Sequence, residues 1–304
     1  MPRKSIKQVW YPSEGRVLIH DGTVTSSSQH LSETFLKIKE KAIELEKLYN
    51  SYSLKIPPDC DLSLLINDAK KLSDCWLLNQ TEDMSPLSLF RVMHLNQIAD
   101  AVLPLQLETN PVEYLKSIIS GNLDLSDRRK SRAKDVLWEL KVWSTLKKKS
   151  FNAKLQDPPD IVVSFKETKI GIACKKLYSE KHVQNVLSEA VKQIESGFDY
   201  GIVAINLDDL MPANKILSAQ TVQAAVEFIS RKNERFIKSH ERHLKKYLSS
   251  GRIISALVST SLLTDVNHGT PRLNFAQQDT FWTIPSLTAD KKEKVDDFYN
   301  YLFD

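Results

Sequence analysis

Cysteine is scarce. The chain of 304 residues has three (Cys60, Cys75 and Cys174), far apart and with no CxxC pair. That excludes a disulfide framework and a thiolate metal knuckle, and with no export signal it leads us to expect a reducing, cytoplasmic setting. No apolar run approaches the roughly 18 residues needed to span a bilayer. The opening MPRKSIKQVWYPSEG lacks the apolar centre of a signal peptide, so no membrane association is expected. There is no Walker loop and no GxGxxG, which leaves nucleotide hydrolysis unsupported. No Ser-His-Asp arrangement, internal repeat or low-complexity segment stands out.

What is present is an ordinary globular balance, 41% apolar and 26% charged, long enough for one large domain or two ordinary ones. The net charge of +4 is unevenly spread. Residues 128–181 carry fifteen Lys/Arg against six Asp/Glu, which leaves the remainder mildly acidic. Such a block, beginning with Arg128, Arg129 and Lys130, is the electrostatic footprint of a polyanion partner, or else a solvated lysine-rich face.

Apolar spacing predicts helices at 31–50, 62–79, 85–102 (with Ser85 as N-cap before Pro86) and shortly after Pro111. Residues 1–30 read as irregular with a short strand near 16–20. The polar stretch SGNLDLSDRRKS, 120–131, reads as a boundary between a mostly helical region, 1–120, and an α/β region, 121–304. That second region predicts a helix at 131–149, strands in FNAKLQ, DIVVSF and KIGIACKKL, a helix at 181–196 and a strand in YGIVAINL. A basic helix at 221–248, strands in RIISALVST and TFWTIP, and a closing helix at 290–303 follow. The fold class expected is α/β, a mixed sheet flanked by helices.

The chemistry concentrates in DIVVSFKETKIGIACKK. Read as an antiparallel hairpin with its turn centred between Glu167 and Thr168, it pairs Asp160 with Lys175. Asp160, Val162, Ala173 and Lys175 then share one face, and the other face is core. The pair by itself reads equally as a cross-strand ion pair at a sheet edge. On the preceding helix Glu139 falls within the apolar arc of Val136, Leu140, Trp143 and Leu146, while Trp138 lies opposite it. A carboxylate there sits at the rim, is paired, or binds a cation. Two carboxylates and an amine at one point suit a divalent cation, with the amine orienting water or neutralising phosphate charge. His240 and His243, three apart on the basic helix, lack an evident third zinc ligand and are expected to be solvent-exposed.

Pro159-Asp160, Ala173-Cys174-Lys175, the Glu139 of WELKVW and the SEAVKQIE helix occur in an order and spacing that resembles the PD-(D/E)XK superfamily, the restriction-endonuclease-like nucleases. The likeness covers residues 135–195 closely. It implies a restriction-endonuclease-like core and a nuclease using Mg²⁺ or Mn²⁺ on nucleic acid, with DNA as the first expectation. It further implies Asp160 and the Cys174 carbonyl as metal ligands, Glu139 as an additional ligand, and Lys175 as the phosphate or water contact. Lys176 and Gln193 would lie toward the nucleic acid. The chain departs from the pattern at Ala173, where the second carboxylate belongs. Either Glu139 supplies the lost charge, or the fold is a defunct module that binds DNA or a protein partner. The N-terminal helices are candidates for a homodimer or partner contact.

Overall fold

In the computed structural model the described residues are 9–12, 16–21, 28–78, 85–194, 197–213, 216–267 and 273–303. Most of the expected irregular N-terminal segment, residue 79 and residues 195–196 at two expected helix ends lie outside them. Residues 170–174 are buried in succession, as a strand covered by helices on both faces requires. This strand, β5 (Thr168–Lys176), lies near the middle of one mixed sheet. The other strands are β1 (Val9–Pro12), β2 (Arg16–Asp21), β3 (Asn152–Leu155), β4 (Ile161–Phe165), β6 (Tyr200–Asn206), β7 (Leu217–Ala219), β8 (Ser255–Val266) and β9 (Leu273–Thr283). Their order is β1-β2-β9-β8-β6-β5-β4-β3, with β7 beside β8. β5, β6 and β8 run parallel, and the two ends of the sheet are antiparallel.

The helices are α1 (Ser28–Ser51), α2 (Asp61–Leu77), α3 (Pro86–Val102), α4 (Val112–Ser120), α5 (Arg132–Lys148), α6 (Val183–Ile194), α7 (Val222–Ser249) and α8 (Ala289–Phe303). Ser85 caps α3 by accepting from the Ser88 N–H at 3.1 Å, as its sequence position predicts. The parallel strands need crossovers, which α6 and α7 supply. Gly201 marks how closely α6 lies on the sheet, since a Cβ there would stand 2.5 Å from Ile194 Cγ2. α5 covers the opposite face, where Trp138 and Leu146 meet Ile172 and Ile202 around a cavity of about 180 Å³. α3 and α4 pack against the outer side of α5. One hydrophobic core therefore runs from Phe35 in α1 to Leu302 in α8. Among the described residues no helix is long and apolar enough to cross a membrane.

Three expectations change. The β4–β5 turn is Lys166-Glu167, both with positive φ (44° and 63°), so Phe165 pairs with Thr168 and Val162 with Gly171. Continued by one residue, that register sets Asp160 opposite Ala173 rather than Lys175. The displacement is even, so Val162, Ala173 and Lys175 keep their common face. Trp138, expected opposite the apolar arc of its helix, faces the sheet instead. It is buried, and its Nε1 donates to the Ala204 carbonyl at 3.0 Å. Trp138 is turned to β6 while α3 and α4 close over the outer side of α5, so that helix buries nearly its whole circumference. β8 and β9 are also longer than their apolar cores suggest, because polar Thr260, Gln278 and Thr280 are buried between them and α7. Asn233 of α7 satisfies that layer by donating to the carbonyls of Val258 and Gln278.

Candidate metal and phosphate site

Glu139 is carried by the middle of α5, and Asp160 lies one residue before β4. Each is buried, at 5% and 7% exposure. The Asp160 Oδ2 accepts from the backbone N–H of Cys174 at 2.5 Å, which ties the carboxylate across the open end of the β4–β5 ladder. In an extended strand the N–H and C=O of one residue point to the same side. The Cys174 carbonyl is therefore turned toward Asp160 as well.

Burial and the adjacent Asp160 carboxylate push the Glu139 carboxyl up to about 8, although Arg132 and Lys175 pull the other way. Asp160 is raised too, first by burial, with the Lys175 ammonium and the Cys174 N–H opposing. Lys175 thus lies within the field of both carboxyls. Glu139, Asp160 and Lys175 are close enough to act on one another through their charges. The arrangement can take up a cation, hold one proton between two acids, or receive a phosphate at its cationic rim.

Two further side chains belong to the same place. Arg132, on the first turn of α5, has its Nη1 3.5 Å from Glu139 Oε1 while 62% of its side chain stays exposed. The spacing of seven, two helical turns, was the signal that would have found it. Tyr114 of α4 is raised to about 12 by burial and by the charges of Glu139, Asp157 and Asp160. No local pattern announces it.

Lys176, Arg128, Arg129 and Lys130 go elsewhere. Lys176 leaves β5 on the side opposite Lys175 and pairs with Asp209 Oδ2 at 2.7 Å and Asn206 Oδ1 at 2.6 Å. Arg128 turns inward to the carbonyls of Asp208 (3.1 Å) and Pro212 (3.2 Å). Arg129 is held by Asp127 and, with Lys130, faces solvent. The Oε1 of Gln193 is buried, with no hydrogen-bond partner among the described residues. His240 is not solvent-exposed as expected: its side chain is 15% exposed, packed on Phe236 and 3.4 Å from Glu180.

The fit to a divalent cation rests on the donor set. Two carboxylates and one strand carbonyl are the oxygen donors that Mg²⁺ accepts when water and substrate phosphate complete its shell. Ala173 is fully buried and adds none. Among the described residues no group of three or more His, Cys, Asp or Glu side chains is gathered to hold an ion. Comparison with known proteins returns no family model, curated protein or solved structure that matches the chain.

Proposed function

We propose that this protein is a metal-dependent nuclease built on a restriction-endonuclease-like core, acting on DNA. The observation that carries the reading is the burial of both Glu139 and Asp160, with the Asp160 charge acting on Glu139 and Lys175 in the field of both. Two buried acids in each other's field hold either a proton, as Glu139 does when no ion is bound, or a cation that displaces it. The run α5-β3-β4-β5-α6-β6, with β3-β4-β5 antiparallel and β6 parallel to β5, supports the same reading.

Glu139, Asp160 and the Cys174 carbonyl would hold Mg²⁺ or Mn²⁺, which when bound polarises a phosphate and lowers the pKa of its water. Asp160 is fixed by the Cys174 N–H and so needs little reorganisation. Lys175 places positive charge where the attacked phosphate gains negative charge. Arg132, largely exposed beside Glu139, reaches toward a backbone phosphate and steadies its approach.

The test incubates the full chain with supercoiled and linear DNA and Mg²⁺ or Mn²⁺. Cutting is expected in the wild type, and a fall of at least about 100-fold in Asp160→Ala and in Lys175→Ala. Cutting that persists unchanged in both variants belongs to a contaminant and overturns the assignment. Ala173 supports a second reading, a nuclease fold that binds DNA without cutting it. Salt-dependent DNA binding with no cleavage would select that one.

A further inference from the structure

On the other side of α5 from Glu139 lies a cavity of about 520 Å³. It opens at the carboxyl ends of the parallel strands β5 and β6, walled by α3 and α5. Crevices at that end of a parallel sheet are where ligands of α/β folds bind, and the volume is that of a small-molecule site.

Its charge is unbalanced. Arg128, Lys134, Lys141 and Lys176 line it, against one carboxylate, Asp208. Asp209, its side chain wholly buried, lies beneath and is shared by three of these cations. Lys176 is at 2.7 Å, Arg128 at 3.4 Å and Lys134 at 3.6 Å. The Asp208 carboxylate is engaged by the N–H and hydroxyl of Ser261, at 2.6 and 2.9 Å. Lys141 hydrogen-bonds to the neutral Gln97 at 3.0 Å and meets Asp208, and Asp279 of β9, only through their fields. Asp127 acts on Lys134 and Asp135 on Lys176, so Lys134 and Lys176 are met by carboxylates from below and beside the cavity. Among the described residues Lys141 is the lining cation with no carboxylate in contact, and an anion in the cavity would supply one.

A second orphan points the same way. His94 is 3% exposed and lines the cavity. Its Nε2 is 3.0 Å from the Leu123 carbonyl, which can only accept, so Nε2 carries the proton. Nδ1 is then an acceptor, buried and without a partner among the described residues. One turn before His94 on the same face of α3, Phe90 stacks on Phe275 of β9 at 5.3 Å between centroids and 28° between planes, which makes this part of the wall aromatic.

We propose that this cavity is a binding site for a small organic anion with a flat apolar body, its acidic group on Lys141 and its ring system on Phe90 and Phe275. A hydroxyl or amine of such a ligand would satisfy His94 Nδ1. The site is independent of Glu139 and Asp160.

The test is a fluorescence titration of the full chain with 8-anilinonaphthalene-1-sulfonate, a flat aromatic anion. Expected are saturable 1:1 binding, at least a 10-fold loss of affinity in Lys141→Met and in Phe90→Ala, and no change in Glu139→Gln or the exposed-lysine control Lys238→Met. On the wild type alone, the uncharged N-phenyl-1-naphthylamine should bind at least 10-fold more weakly, which decides the matter even where a variant does not fold. Equal affinity for the neutral probe, unchanged affinity in Lys141→Met, or no saturable binding would each overturn the proposal.

Discussion

Glu139 loses its water on folding and gains a second carboxyl as its neighbour. Its folded-state value of about 8, against an ordinary 4.5, means that the native chain binds a proton the unfolded chain releases anywhere between those pH values. The stability it contributes is thus complete below about pH 4.5 and is lost as pH rises to about 8, at roughly 1.4 kcal/mol per unit and on the order of 5 kcal/mol in all. In EDTA, Glu139→Gln should match the wild type at pH 5 and melt several degrees higher at pH 8.5, followed by circular dichroism. A difference that does not vary with pH would mean that Glu139 is ionised throughout. The residue was legible in the sequence because a carboxylate within an apolar helical arc is anomalous. Tyr114 and the three-cation grip on Asp209 were not, since these partners meet only through tertiary packing.

The β4–β5 hairpin shows what pattern alone leaves open at the scale of an element. Alternation gave the faces of β5 correctly, yet register depends on the turn, and Lys166-Glu167 carries none of the Asn-Gly chemistry that marks a two-residue turn with positive φ at both positions. β7 was missed for a related reason: at three residues it is too short to show a period. The strained turn makes a prediction. Glu167→Gly relieves a left-handed residue at φ 63° and should stabilise the protein by about 0.5–1 kcal/mol, read from the urea midpoint at unchanged slope. A destabilised variant would show that Glu167 makes an interaction worth more than its backbone strain.

For the whole molecule, the helical region and the sheet were legible separately and their fusion was not. β2 pairs along β9, and α3 and α4 cover α5, so residues 1–120 complete the core that the remainder begins. A fragment of residues 121–304 should therefore be aggregated or lack fixed tertiary structure, as read by size-exclusion chromatography and near-ultraviolet circular dichroism. A monomeric fragment with cooperative melting would refute this. One junction in the assembly is unusually unforgiving. Lys175 and Lys176 are consecutive, and the pleat sends one amine toward Glu139 and Asp160 and the other to Asp209. Removing a single residue upstream in β5 would exchange their addresses, disarming one chamber and overloading the other in the same stroke. Insertions and deletions in this strand are tolerable only in twos.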